Sequence, residues 1–374
     1  MIRRASARAW QPPHPDDRIR MRACVVHSPA IFSGAPTPST LEIASVRLAH
    51  LALAAATFLT ALGAAPSAMA QAFPSKPLKW IVPFPPGGPT DSFSRPVAQK
   101  LSEILGQPVV VENVPGAGAS IGMERVARSP ADGYTIGLAT TGTHSINPHL
   151  YGPRLPHDTS KDFTPITLAT RYVNMLVVNA KLPINTVGEL VAYAKANPGK
   201  VNFGSAGNGS SNHLSGEALK LVTGAPMQHI PYRGSALALN DVMAGNLTYM
   251  FDIPITAMQA VQTGRVRALA VTSDKRSLYF PTVPTMAESG VKGFSEVGSD
   301  LWFGIVGPAG IPKPALDKLN AALIQALRSP EIRQRMSAAG FEIWTSTPDE
   351  FAKVIKVDRD KWEPIVKGSG AKVD

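Results

Sequence analysis

Apolar positions along this chain follow two different periods. Short apolar runs at 79–84, 109–112, 134–139, 201–204, 247–252 and 266–271 suit buried strands, because a strand covered on both faces has no polar alternate positions. Between them, Phe93, Val97, Leu101, Ile104 and Leu105 recur at helical spacing, as do Leu214, Ala218, Leu221 and Val222. Further strands are predicted at 166–170, 175–178, 228–231 and 301–306. Helices are predicted near 121–127 and at 187–196, 235–244, 314–327 and 330–339, with another after Thr347. Thr186 with Glu189, Thr285 with Glu288 and Thr347 with Glu350 have capping-box spacing. Strands alternating with helices of about 10–15 residues predict an α/β chain with parallel sheets.

In such sheets a ligand binds beyond the carboxyl ends of the strands. Glycine- and hydroxyl-rich segments fall there repeatedly, after Phe84, Glu112, Ala139 and Phe203. In the first, Pro85, Pro86 and Pro89 forbid further pairing, Gly87 and Gly88 let a ligand approach the backbone, and Thr90 and Asp91 stand where a helix N-cap belongs. Strand, glycine turn and helix start together make an anion-binding device, since bare N–H groups point outward and the helix dipole favours negative charge. Asp91 is read either as a cap alone or as a ligand contact. The second segment places Ser205, Gly209, Ser210 and Ser211 before a helix carrying His213, with Ser211 as the expected cap. A cationic His213 in that first turn would oppose the dipole, so its expected role is a neutral hydrogen-bonding one. Thr140 and Thr141 end the third strand. Asp252 falls near a strand end, and Trp302, in a late strand, is either core or cleft wall.

Residues 1–70 are set apart from this pattern. An apolar stretch at 48–62 follows Arg47, and Ala68-Met69-Ala70 has the small-residue form of a cleavage site, so a secretory signal peptide cut after Ala70 is expected. The start is left among Met1, Met21 and a position near Leu41. The apolar stretch is too short for a comfortable membrane span. Seven Arg and three acids before Gln71 account for +4 of the net +10, leaving a mildly basic +6 with no Lys/Arg block and no nucleic-acid footprint. The single Cys, Cys24, lies in the leader, which removes disulfides and thiolate chemistry from the mature chain. No cofactor and no metal site are expected, because no His, Asp or Glu cluster has ligand spacing.

Gly118-Ala119-Ser120-Ile121-Gly122 matches the G-x-S-x-G nucleophile elbow. The elbow needs its Ser at the strand end, yet residues 113–118 intervene, and no His follows Ile230 to complete a triad. A secreted serine hydrolase using Ser120 is therefore the weaker alternative.

The mature chain also resembles the tripartite tricarboxylate transporter substrate-binding proteins, the Bug-type receptors. The resemblance covers 73–370. It rests on Pro74-Ser75-Lys76-Pro77, on Ile81-Val82-Pro83-Phe84-Pro85-Pro86-Gly87-Gly88-Pro89-Thr90-Asp91, and on Val110-Val111-Glu112-Asn113-Val114-Pro115-Gly116-Ala117-Gly118. Further matches are Asp132-Gly133-Tyr134-Thr135, Asn147-Pro148-His149-Leu150-Tyr151, Pro231-Tyr232-Arg233-Gly234, Arg267-Ala268-Leu269-Ala270-Val271-Thr272 and Val283-Pro284-Thr285-Met286-Ala287-Glu288. The resemblance implies a periplasmic-binding-protein fold of type II character, with two α/β domains, two crossing strands as a hinge and the ligand in the cleft between. The expected domains are 71–171 plus 299–374, and 172–298. It implies a soluble, monomeric, non-enzymatic receptor that grips a small carboxylic acid (mono-, di- or tricarboxylate, or aromatic) through the loops at 86–91 and 205–213. The implied partners are one small and one large membrane subunit of a transporter, or alternatively a sensor kinase. The chain departs from the family at Val114, where Arg is usual, at Ala119, where Gly is usual, and at Arg233, where Lys is frequent. Arg233 is read as a bidentate clamp for a second carboxylate, a contact Lys makes less well.

Overall fold

The computed structural model describes residues 73–294 and 301–373. The leader and its cleavage site lie outside the described residues. Two sheets lie within one compact unit, Ala70–Asp374. The first is six-stranded, in the order β11-β4-β10-β3-β1-β2, and the second five-stranded, in the order β7-β6-β8-β5-β9. The first contains β1 (Leu78–Val82), β2 (Val109–Asn113), β3 (Thr135–Thr140), β4 (Phe163–Tyr172), β10 (Leu301–Pro308) and β11 (Glu342–Ile343). The second contains β5 (Met175–Asn179), β6 (Asn202–Ser205), β7 (Gln228–Pro231), β8 (Tyr249–Asp252) and β9 (Val266–Val271).

The helices cover the sheets as the apolar stripes require. They are α1 (Pro89–Leu105), α2 (Ser120–Ala127), α3 (Asn147–Tyr151), α4 (Val187–Ala196), α5 (Ser211–Thr223), α6 (Ser235–Ala244), α7 (Pro254–Gln262), α8 (Lys313–Arg328), α9 (Pro330–Ala338) and α10 (Pro348–Ser369). Helix α1 shows the logic. Phe93, Val97 and Leu101 are fully buried, and Phe93 meets Phe303 of β10 edge-on at 5.5 Å between ring centroids. Of the three capping boxes, Thr347 and Glu350 close reciprocally at the start of α10. Thr186 caps α4, but Glu189 reaches back to the Asn185 N–H at 2.6 Å rather than to the cap's own. Thr285 and Glu288 bond reciprocally at 2.8 and 3.1 Å, yet they close only a turn.

The expectation of parallel sheets is corrected. β1, β2 and β3 are parallel, but β10 runs against both β3 and β4. In the second sheet β6, β7 and β8 are parallel, and β5 runs against β8 and β9. The reversed strands have a common origin. Strand β5 comes directly after β4, through Val173 and Asn174, and begins opposite Asp252, the last residue of β8. A chain that leaves one sheet at a carboxyl end and enters the next on that same side must run away from it. Strand β10 likewise begins opposite Tyr172, the last residue of β4. The expected second crossing falls on 295–300, outside the described residues. Among the described residues no helix is long and apolar enough to cross a membrane.

Candidate functional site

Three strand-to-helix junctions meet at one cavity of roughly 240 Å³. At the first, β1 gives way to prolines and α1 begins at Pro89. The helix N-cap is Gly88, in extended backbone, and not Thr90 or Asp91 as the hydroxyl and carboxylate suggested. Proline at the first helical position forces this, since its fixed φ suits the helix and its missing N–H costs nothing there. The Thr90 and Asp91 N–H groups are left without partners inside the helix. Asp91, in the first turn, folds back on the loop. Its Oδ2 accepts from the Gly87 N–H at 3.0 Å and from Arg95 Nε at 2.9 Å, and its Oδ1 from Asn113 Nδ2 at 3.0 Å. Asn113 Nδ2 also donates to the Phe84 carbonyl at 3.0 Å. Burial alone raises the Asp91 carboxyl, but the hydrogen bonds from Arg95, Gly87 and Asn113 outweigh it and hold the group below the usual carboxylate range.

At the second junction β6 ends on Ser205 and α5 begins on Ser211. The cap is Ser210, one residue before the expected Ser211: its Oγ accepts from the His213 N–H at 3.3 Å and donates to the Gly207 carbonyl at 2.7 Å. Ser211 is thereby the first helical residue and stands on the cavity wall. His213 turns inward. Its Nδ1 accepts from the Gly209 N–H at 3.2 Å, and its ring stacks on His229 at 3.9 Å. His229 Nε2 meets Ser205 Oγ at 2.7 Å, and that oxygen accepts from the Gly207 N–H at 3.1 Å. Burial first, then the charges of His229 and Lys220, push His213 down to about 2; burial and Lys220 push His229 down to about 4. Both rings are neutral at ordinary pH, as the helix dipole above them demands.

The third junction escaped the sequence reading except for one residue. After β7, Tyr232, Arg233 and Gly234 lead into α6, with Gly234 as N-cap at φ 143°. Gly234, Ser235, Ala236 and Leu237 line the cavity. The signal was present, since Arg233-Gly234-Ser235 before an apolar periodic run repeats the strand–glycine–helix pattern. Arg233 is exposed at the cavity rim and, among the described residues, makes no hydrogen bond or ion pair. A second cavity of about 300 Å³ shares Phe84, Pro85, Ala206 and Arg233 with the first.

Of the residues named from sequence, Pro86, Gly88, Thr90, Thr140, Ser210, Ser211 and Arg233 line the first cavity. The Thr90 hydroxyl is buried and has no partner among the described residues. The others stand behind the wall. Gly87, Asp91, Ser205, Gly209 and His213 hold the loops in the ways described. Thr141 Oγ1 accepts from the Trp302 N–H at 2.9 Å, while the buried Trp302 indole donates to Asp358 at 2.9 Å, which places Trp302 in the core. Asp252 is fully buried, its Oδ2 accepting from Thr256 at 2.6 Å. The aromatic walls, Phe84, Tyr172 and Phe303, carried no sequence signal, because an apolar residue at a strand end reads the same whether it faces core or ligand.

Glycines let the loops of the two sheets touch. A Cβ on Gly142 would stand 2.8 Å from the Gly209 carbonyl, and one on Gly234 would stand 3.1 Å from Pro85. Side chains at these points would hold the loops apart. Among the described residues no group of three or more His, Cys, Asp or Glu is placed to hold a metal ion. Ser120 opens α2 with a buried hydroxyl that has no partner among the described residues, so no base is positioned to activate it.

Residues 93–371 match the family described as tripartite tricarboxylate transporter family receptor. The chain belongs to that family. It is 37% identical over 297 residues to the UPF0065 protein in the tcbD-tcbE intergenic region of Pseudomonas sp. strain P51, covering 79% of this chain and 87% of that one. It is 35% identical over 316 residues to protein BugT of Bordetella pertussis, covering 84% and 96%. Among solved structures, the periplasmic binding protein BugD matches with a TM-score of 0.76 at 36% identity, covering 80% of this chain and 99% of that one. A Rhodopseudomonas palustris protein solved with adipate matches at 0.77 and 33%, covering 80% and 100%. MatC of Rhodopseudomonas palustris, with bound malate, matches at 0.75 and 31%, covering 79% and 100%. The receptor thus has the α/β fold of the periplasmic binding proteins, and the matched family and structures are solute-binding proteins rather than enzymes.

Proposed function

We propose that the receptor captures a small carboxylic acid in the periplasm and delivers it to the small and large membrane subunits of a tripartite tricarboxylate-type transporter, without chemical turnover. One observation carries the reading: three helix N-termini, of α1, α5 and α6, converge on a cavity whose lining, among the described residues, holds no acidic side chain and one cation, Arg233. Each N-terminus presents about half a positive charge together with unbonded N–H donors, the complement of a carboxylate. The Thr90 hydroxyl and the Ser211 and Asn212 N–H groups stand ready to complete the grip. Phe84, Tyr172, Phe303 and Ile253 give the remainder of the cavity an apolar character, which suits an acid with a short hydrocarbon or aromatic body. Arg233, at the rim, meets a second acidic group where the ligand has one. The names of two matched structures, with adipate and with malate, support a carboxylate.

The contacts come from both sheets, so a bound acid favours the closed arrangement of two domains, 71–171 with 299–374 and 172–298, about the crossing after Tyr172. The secreted form, cut after Ala70, is expected to be a soluble monomer. A thermal-shift screen of that form against benzoate, adipate, malate and citrate tests the reading. One or more acids should raise the melting temperature in proportion to the logarithm of concentration. No shift with any acid at millimolar concentration overturns it.

A further inference from the structure

Asp252 ends β8 and is wholly shielded from solvent. Its Oδ2 is held by the Thr256 hydroxyl, but its buried Oδ1 makes no hydrogen bond among the described residues. Among the described residues no cation is set against it. The strand it pairs with, β5, and the helix that follows it, α7, contain no titratable group. Helix α5 brings His213, Glu217 and Lys220, the last two joined to each other at 2.7 Å. Helix α6 brings Asp241, tied to Tyr232 and Asn246. Tyr249 lies on β8 itself. None of these acts on the charge of Asp252. An ionised carboxylate here would be a buried charge without a partner, the arrangement proteins avoid most consistently.

Its position matters because the cavity wall is built on it. Ile253, the next residue, lines the cavity, and so does Ser235, whose side chain lies near enough to favour a charge on Asp252. We propose that Asp252 is the proton-carrying residue of the cleft: it is neutral when the acid is bound, and loss of its proton weakens the grip on the ligand anion. This rests on the acid-receptor reading above. Burial pushes the carboxyl up to about 7, against the opposing pull of the Thr256 hydroxyl, the Ile253 backbone and the nearby Ser235 side chain. A ligand carboxylate seated beyond the wall adds a second negative charge and pushes it higher. Linkage then requires the reciprocal effect, with the deprotonated receptor binding the anion less tightly and binding above neutrality drawing a proton from solution.

The test is titration calorimetry of the secreted receptor with benzoate and with adipate from pH 6 to pH 9, in paired buffers of different ionisation heat. The expected result for wild type is affinity falling about tenfold or more across this range, with a buffer-dependent heat that reports net proton uptake above pH 7. Asp252→Asn, a permanently neutral isostere, should bind as tightly at pH 9 as at pH 6 with no buffer dependence. Wild-type affinity independent of pH with no proton uptake overturns the proposal while leaving the acid receptor standing. A pH dependence that survives in Asp252→Asn overturns it too, by assigning the proton to another group. Should Asp252→Asn fail to fold, Thr256→Val, which removes the hydroxyl on Asp252 Oδ2, should move the fall in affinity to higher pH, and an unmoved midpoint overturns the proposal. Absence of binding by either acid at every pH removes the acid-receptor reading and this inference with it.

Discussion

The two loops named first from the sequence do the same work by opposite electrostatic means. The loop before α1 is pinned by charge: the Asp91 carboxylate gathers the Gly87 N–H, Arg95 and Asn113. The loop before α5 is pinned by neutral groups, with stacked His213 and His229 fixing Gly209 and, through Ser205, Gly207. The first anchor places a negative charge in the first turn of its helix, where the dipole welcomes it. The second places in the first turn a residue that is tolerable there only while uncharged. A helix N-terminus therefore constrains the charge state of the groups that support it, and acid should undo the two loops at different pH.

The largest effect should come from that difference. His213 and His229 titrate near 6.5 in the unfolded chain and near 2 and 4 when folded, so below pH 6.5 the unfolded chain binds more protons than the native one. Their contribution is fully present above pH 6.5, falls by about 1.4 kcal/mol per pH unit for each ring as pH drops, and levels off below the folded values. Asp91 loses its contribution in the same direction but at lower pH. Its folded value lies below 3.8, so its contribution persists until the pH falls through that region. Urea denaturation at pH 7, 6 and 5 should show a stability slope that shrinks in the double variant His213→Gln/His229→Gln, by a difference that grows to nearly two protons (about 1.8) as pH 5 is approached. An unchanged slope breaks the comparison.

Next in size is Asp91→Ala, which strips three hydrogen bonds from a nearly buried site. Because Arg95 is half exposed, the expected loss is about 2 kcal/mol at pH 7 rather than that of a fully buried pair, with acid binding weakened more than tenfold as the Gly87 turn loosens. Equilibrium unfolding and calorimetry on one preparation separate the two effects. Gly142→Ala should do the reverse. Its methyl would press on the Gly209 carbonyl across the seam, so acid affinity should fall about fivefold to tenfold while the melting temperature of the unliganded protein moves little. A variant that binds as tightly as wild type shows that the loops need not touch. Smallest is Arg233→Lys, expected to cost adipate about threefold and benzoate almost nothing, since only a second carboxylate can use the planar fork. Equal effects on both acids remove the clamp.

How far the site was legible follows from the same residues. The α1 and α5 junctions were found because proline, glycine and serine act locally, on the backbone of their own turn. The cap positions slipped, from Thr90 or Asp91 to Gly88 and from Ser211 to Ser210, because several neighbouring residues qualify and packing chooses among them. Phe84, Tyr172 and Phe303 were invisible as cavity walls, since hydrophobicity does not say which neighbour an apolar side chain meets. Asp252 was noticed only as a strand end; its isolation depends on which elements close around it.

By itself, the sequence located every described strand but β11 and every described helix but α3 and α7, offered two glycine-rich loops as candidates to receive an anion, and placed its one Cys before Gln71, all properties of short segments or of composition. Tertiary structure decided the rest. It reversed β5 and β10, because a chain crossing between sheets must set out from the side on which it arrives. It brought a third helix N-terminus to the cavity and placed Arg233 at its rim, unpaired among the described residues. It sealed Asp252 away from the cations of the described residues. These are relations between residues far apart in sequence, and only the packing of two sheets around one cleft brings them together.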